Sequence, residues 1–176
     1  MKILSRVLAA VTLLLALSGT TVAASDNDGC SNATLKGDYA FTVSGQGPNV
    51  TKGIAMTNFD GRGMLTQVDF AVTDGTPLPT DGNSITGFHF ATGETGTYTV
   101  NQDCTGSAQI DLNVPVPAPL SHGVIKLQFV LSNHGRTIHT VVSEFTPPGA
   151  TAPDLNTYSS DGFKVGKVRD DDDDEY

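Results

Sequence analysis

The chain has 176 residues, 19 Asp/Glu against 10 Lys/Arg, and a formal net charge of -9. That balance disfavours nucleic acid and anionic membrane surfaces as partners. Nineteen glycines and nine prolines, scattered among frequent Thr and Val, leave little room for long helices and point to an all-β protein.

Residues 1–24 read as a secretory signal. Lys2 and Arg6 supply a positive start, residues 7–17 form an apolar run, and Val22-Ala23-Ala24 is a small-residue cleavage site. The run is shorter than the ~20 residues that span a bilayer. Cys30 follows Asn27-Asp28-Gly29, which is no lipobox. The expected mature protein is exported and soluble, secreted or periplasmic, with no membrane span. It divides into one domain over residues 25–168 and an acidic, disordered tail over residues 169–176, which holds the run Asp170 to Glu175. Cys30 and Cys104 are the two cysteines. In an oxidising compartment their pairing is the default expectation. It would contribute about 4 kcal/mol in the chain-entropy description.

One helical turn is expected over residues 30–35. The first strand, residues 36–45, places Tyr39, Phe41 and Val43 on one face. The second covers residues 50–59 and ends in the tight turn Phe59-Asp60-Gly61-Arg62-Gly63. The third covers residues 64–72, with Met64, Thr66, Val68, Phe70 and Val72 on one face and Gln67 and Asp69 on the other. Asp69 and Asp111 read as outward solubilising groups. A loop with Pro77 and Pro79 spans residues 73–83. Two short runs follow, residues 84–90 and 95–100, split by Ala91-Thr92-Gly93-Glu94. They form either a hairpin or one long bent strand. The next strand spans residues 106–114, and Pro115, Pro117 and Pro119 make a stiff linker after it. Strands over residues 124–131 and 136–145 flank the turn Asn133-His134-Gly135. A Pro/Gly/Ala loop spans residues 146–153, and a last weak strand spans residues 158–167.

In an up-and-down barrel, a Cys30–Cys104 bridge decides between the two options for residues 84–100. Bonded cysteines need Cα atoms within about 7 Å. A hairpin there sends Cys104 to the end of the barrel opposite Cys30; one strand bent near Gly93-Glu94 brings it to the same end. The bent strand is therefore expected, for a total of eight strands. Eight strands enclose an interior that is filled by side chains or holds one small ligand.

The opening Cys30-Ser31-Asn32-Ala33-Thr34-Leu35-Lys36-Gly37-Asp38-Tyr39-Ala40-Phe41, the turn at Phe59 to Gly63, and the segment Gly96-Thr97-Tyr98-Thr99-Val100-Asn101-Gln102-Asp103-Cys104-Thr105-Gly106 together resemble exported bacterial proteins grouped with the allene oxide cyclase barrel-like domains. The resemblance spans roughly residues 30–145. It implies a calycin-like, eight-stranded antiparallel up-and-down β-barrel. It carries no secure activity, and no residue role transfers with it.

The chemistry-bearing residues are sparse. His89, His122, His134 and His139 show no metal-ligand spacing. No nucleophile elbow, phosphate loop or dinucleotide fingerprint occurs, and no cofactor or metal is expected. Asn32 and Asn49 head glycosylation-type triplets. Glu144 is the one weak catalytic candidate, as a glutamate in a strand beside Ile138, Thr140 and Val142. Pocket candidates are Tyr39, Phe41, Phe70, Phe88, Tyr98, Phe129 and His139. The expected role is a non-enzymatic barrel binding a small apolar ligand or a surface partner. An isomerase or cyclase acting on an apolar substrate in the cavity, or a structural envelope-associated protein with a filled core, are the alternatives.

Overall fold

Apolar and polar residues alternate along most of the chain, and successive side chains of a strand point to opposite faces. Closing such strands into a cylinder buries one face and leaves no unpaired edge. The structure is a computed structural model that describes residues 29–77, 90–113, 122–148 and 150–166. Its strands are β1 (Lys36–Gln46), β2 (Thr51–Asp60), β3 (Met64–Thr73), β4 (Thr76–Pro77), β5 (Ala91–Val100), β6 (Thr105–Asn113), β7 (His122–Ser132), β8 (Thr137–Thr146) and β9 (Thr157–Lys164). Strand β4 is a two-residue return against the end of β3. The other eight pair antiparallel in chain order, and β9 closes the cylinder against β1. The signal segment, Phe88, His89, the proline linker and the acidic tail lie outside the described residues.

The fourth barrel strand is single where it is described. Between β3 and β5 the register passes from Gln67↔Glu94 to Asp69↔Ala91, so β5 carries one extra residue. Gly93 takes the positive φ of 81° at that bulge. The turn after β5 therefore falls at the same end as the N-terminal segment, and Cys30 and Cys104 are bonded with Cα atoms 4.9 Å apart.

That end is plugged. Asn32–Thr34 form a 3₁₀ turn, and Leu35 behind it is fully buried. The Asn32 side-chain oxygen accepts the Val100 N–H at 2.7 Å. The Tyr98 hydroxyl accepts the Gly61 N–H at 2.9 Å and donates to the Leu35 carbonyl at 2.9 Å. The Tyr39 hydroxyl donates to the Gly135 carbonyl. Rings of Tyr39, Phe59 and Tyr98 stack edge to face at 5.4 and 5.0 Å, the geometry that aromatic quadrupoles favour. Asp60 binds the turn beneath them, accepting the N–H groups of Arg62, Gly63 and Met64 through one oxygen. These bonds hold its carboxyl below the usual range.

Strand β3 faces the opposite way from the sequence expectation. Leu65 is 3% exposed and Met64 54%; Gln67 and Asp69 point inward. The short turn fixes the register, placing Leu65, Gln67 and Asp69 across from the inward Phe59, Thr57 and Ala55. A one-residue slip inverts a whole strand. The sequence pattern favoured the other face because the outer surface is itself apolar there, with Val68 and Phe70 paired to Met56 and Ile54.

Strand β8 changes phase partway along. Its ladder with β7 runs Leu127↔Val142 and then Lys126↔Glu144. Ser143 is the bulged residue, and its hydroxyl donates to the Lys126 carbonyl. Ile138, Thr140 and Val142 line the interior, but past the bulge Phe145 takes the inward position and Glu144 turns out.

Candidate functional site

The barrel is hollow. With one end plugged, the inward faces enclose a cavity of about 560 Å³ that opens at the end opposite the disulfide. This lies within the ~300–1,000 Å³ range of small-molecule sites. Ala108, Ile110, Leu112, Ile125, Leu127 and Phe129 make the apolar wall of β6 and β7. At the mouth stand Asn49, Pro147, Pro148, Asp154 and Asn156. The Asp154 N–H donates to the Phe145 carbonyl at 2.7 Å, and the Tyr158 hydroxyl donates to Asp154 Oδ2 at 2.7 Å.

Polar groups gather on the facing wall, where β2, β3 and β5 meet. The Thr57 hydroxyl donates to Gln67 Oε1 at 2.9 Å. Gln67 Nε2 in turn donates to Glu94 Oε2 at 2.9 Å. The chain of bonds fixes the Gln67 amide and aims its NH₂ at the carboxyl. One step nearer the mouth, Asp69 shares its level with Ala55 and Ala91. Among the described residues no protein donor bonds to the Asp69 carboxyl, and no Lys, Arg or His borders the cavity.

Burial dominates the ionisation of both acids. Glu94 is 4% exposed, and its carboxyl is pushed up to about 8, first by burial and then by the neighbouring Asp69 charge, against the opposing Gln67 hydrogen bond. Asp69 is raised to about 6 by burial. At neutral pH Glu94 is mainly protonated and Asp69 mainly ionised. The site thus pairs an acid with a base inside an apolar tube, a separation that chemistry and ligand recognition both use.

The pocket candidates read from sequence divide among three places. Phe41 and Phe129 border the cavity. Tyr39 and Tyr98 belong to the plug. Phe70 touches the cavity wall, but its register is opposite the exposed Ile54, and its ring packs on Phe90 at 6.2 Å. His139 is a correction: it points outward, 48% exposed, with Nδ1 2.7 Å from Asp161 Oδ1. Glu144 is another, paired on the outer surface with Lys126 Nζ at 3.1 Å. Asp69 is the third, inside the cavity where an outward solubilising group was expected. Phe88 lies outside the described residues.

Sequence reading missed Glu94 because it was assigned to a spacer. A signal was present: counting back by twos from Tyr98 passes Gly96 and reaches Glu94, and all three are inward. Among the described residues no group of three or more His, Cys, Asp or Glu is placed to hold a metal ion, and no helix is long and apolar enough to cross a membrane. The disulfide fits an oxidising environment. Comparison with protein-family models, with curated proteins and with solved structures finds no match to this chain.

Proposed function

We propose that this protein is an exported barrel that binds a small, largely apolar molecule in its interior, without catalysis. The observation that carries the reading is the open cavity of about 560 Å³, apolar on the β6–β7 wall and furnished with Thr57, Gln67, Glu94 and Asp69 on the other. An apolar body gains affinity from burial, and a few convergent polar groups set its orientation. The volume weighs against a purely structural barrel with a filled core. Export rests on the leader sequence and is supported by the disulfide. The resemblance to allene oxide cyclase barrel-like proteins rests on the sequence segments at residues 30–41, 59–63 and 96–106.

A catalytic alternative draws on one specific observation, the separated ionisation of Glu94 and Asp69. An isomerase or cyclase would use these two, with Glu94 as acid and Asp69 as base, in place of the surface Glu144.

The test is displacement of a lipophilic fluorescent dye by decanol, alongside native mass spectrometry of protein purified from its own source. Saturable displacement that Ala55→Trp abolishes supports the reading, because that residue lies on the cavity wall. A flat displacement curve and no co-purified small molecule refute it.

A further inference from the structure

Among the described residues the carboxyl groups of the interior have no cationic partner, and this specifies the ligand more narrowly. Three acids among the described residues border the cavity: Glu94, Asp69 and Asp154. Asp154 is satisfied at the mouth by the Tyr158 hydroxyl and the Asn156 N–H. Glu94 receives one hydrogen bond from the neutral Gln67 amide. The strands packed around Glu94 present Thr57 from β2, Gln67 and Asp69 from β3, and Ile110 and Leu112 from β6. Among the described residues that face Glu94, Asp69 is the sole titratable group.

Two carboxyls in a tube of low polarity, with Asp69 next to the methyl groups of Ala55 and Ala91, are costly to ionise without a counter-charge. The cavity beside them is large enough to admit a molecule that brings one. We propose that the ligand is a lipophilic amine, its protonated nitrogen received by the carboxyls of Glu94 and Asp69 and its apolar part laid along Ile110, Leu112 and Phe129. The proposal rests on the cavity-binding reading above and names the ligand class for the same site. Phe41 and Phe129 add aromatic rings to the wall, a residue type whose faces attract cations.

Binding a cation here releases protons. The two carboxyls hold protons in the free protein up to about 6 and about 8, and an ammonium group favours their ionised forms. Affinity for an amine that stays charged therefore rises with pH across that interval. A neutral ligand that accepts a hydrogen bond from the protonated Glu94 shows the reverse trend.

The test uses three probes of equal chain length, decylamine, decanol and decanoic acid, titrated calorimetrically into the full protein at about pH 5.5, 7 and 8.5. Decylamine is expected to bind about ten- to hundredfold more tightly than decanol near pH 8.5, the range of a charge-assisted hydrogen bond. Its affinity is expected to increase with pH, with proton release measured as a dependence of heat on buffer ionisation. The double substitution Glu94→Gln with Asp69→Asn is expected to erase the amine preference while decanol still binds. Near-UV circular dichroism checks that the double variant is folded, and the single Glu94→Gln gives a partial loss by the same measure. Decanol or decanoic acid binding as well as decylamine, or decylamine binding more weakly as pH rises, overturns the amine proposal and leaves the cavity reading intact. Failure of all three probes overturns both.

Discussion

Replacing Glu94 with glutamine removes a buried titrating group while keeping its shape and its bond to Gln67, since the new carbonyl accepts from Gln67 Nε2 as the carboxyl oxygen does at 2.9 Å. The native carboxyl is held at about 8 against an ordinary 4.5. The folded protein therefore binds this proton more tightly than the unfolded chain. Its contribution to stability is complete below pH 4.5 and is lost as pH rises to 8. At about 1.4 kcal/mol per pKa unit, the loss is at most roughly 5 kcal/mol, and water entry or local relaxation reduces it to about 2–5. Glu94→Gln is thus expected to lie within about 1 kcal/mol of the wild type at pH 5 and to exceed it by about 2–5 kcal/mol at pH 8.5. Urea unfolding with the disulfide intact, repeated across this range for both proteins, measures the difference. Parallel profiles would show that Glu94 ionises normally and is not held in an apolar, acid-bearing wall.

Asp69→Asn removes a charge that raises Glu94, so the Glu94 titration followed by carboxyl NMR is expected to move down, and an unchanged midpoint would mean the two groups do not sense each other. Tyr98→Phe strands the Gly61 N–H and the Leu35 carbonyl at the plug, at an expected cost of about 1–3 kcal/mol in urea unfolding. The double Cys30→Ser, Cys104→Ser variant loses a bridge across 74 residues of sequence and is expected to be about 4 kcal/mol less stable. A Cβ at Gly96 would sit 2.1 Å from the Gln109 carbonyl oxygen; Gly96→Ala is expected to lower the thermal midpoint by forcing β5 and β6 apart, at about 1–3 kcal/mol.

Much of the architecture was legible because it depends on local rules. Turn residues punctuate the chain at Asp60 to Gly63 and Asn133 to Gly135, and alternation marks the first strand through Tyr39 and Phe41. The two cysteines constrained the count, since only a single bent strand brings Cys104 to the end that holds Cys30. The interior was harder to read. Counting apolar residues turned β3 inside out, because Met56, Val68 and Phe70 cover the outer surface and compete with the true inward set. The register that resolves this comes from pairing with β2 across a short turn, which is a relation between strands. Glu144 shows the second limit. Its parity matched Thr140 and Val142, and one bulged residue, Ser143, reversed it.

The resulting site is polar on β2, β3 and β5 and apolar on β6 and β7, which is why strand-by-strand reading did not assemble it. Thr57, Gln67 and Glu94 are far apart in sequence, and each alone looks like an ordinary polar residue in a half-buried strand. Closure of the barrel places them at one level and lines their hydroxyl, amide and carboxyl into a single chain of hydrogen bonds. The same closure keeps Asp69 beside them with no basic residue on the cavity wall among the described residues.

The claim that the interior is a binding site is tested most directly by isoleucine and valine methyl NMR during titration with decylamine. Ile110, Ile125 and Ile138 border the cavity, whereas Val141 is 55% exposed and points outward from β8. Saturable shifts at the three interior isoleucines are predicted, with Val141 unmoved. Shifts at Val141 alone, or at none of the four, would contradict the account.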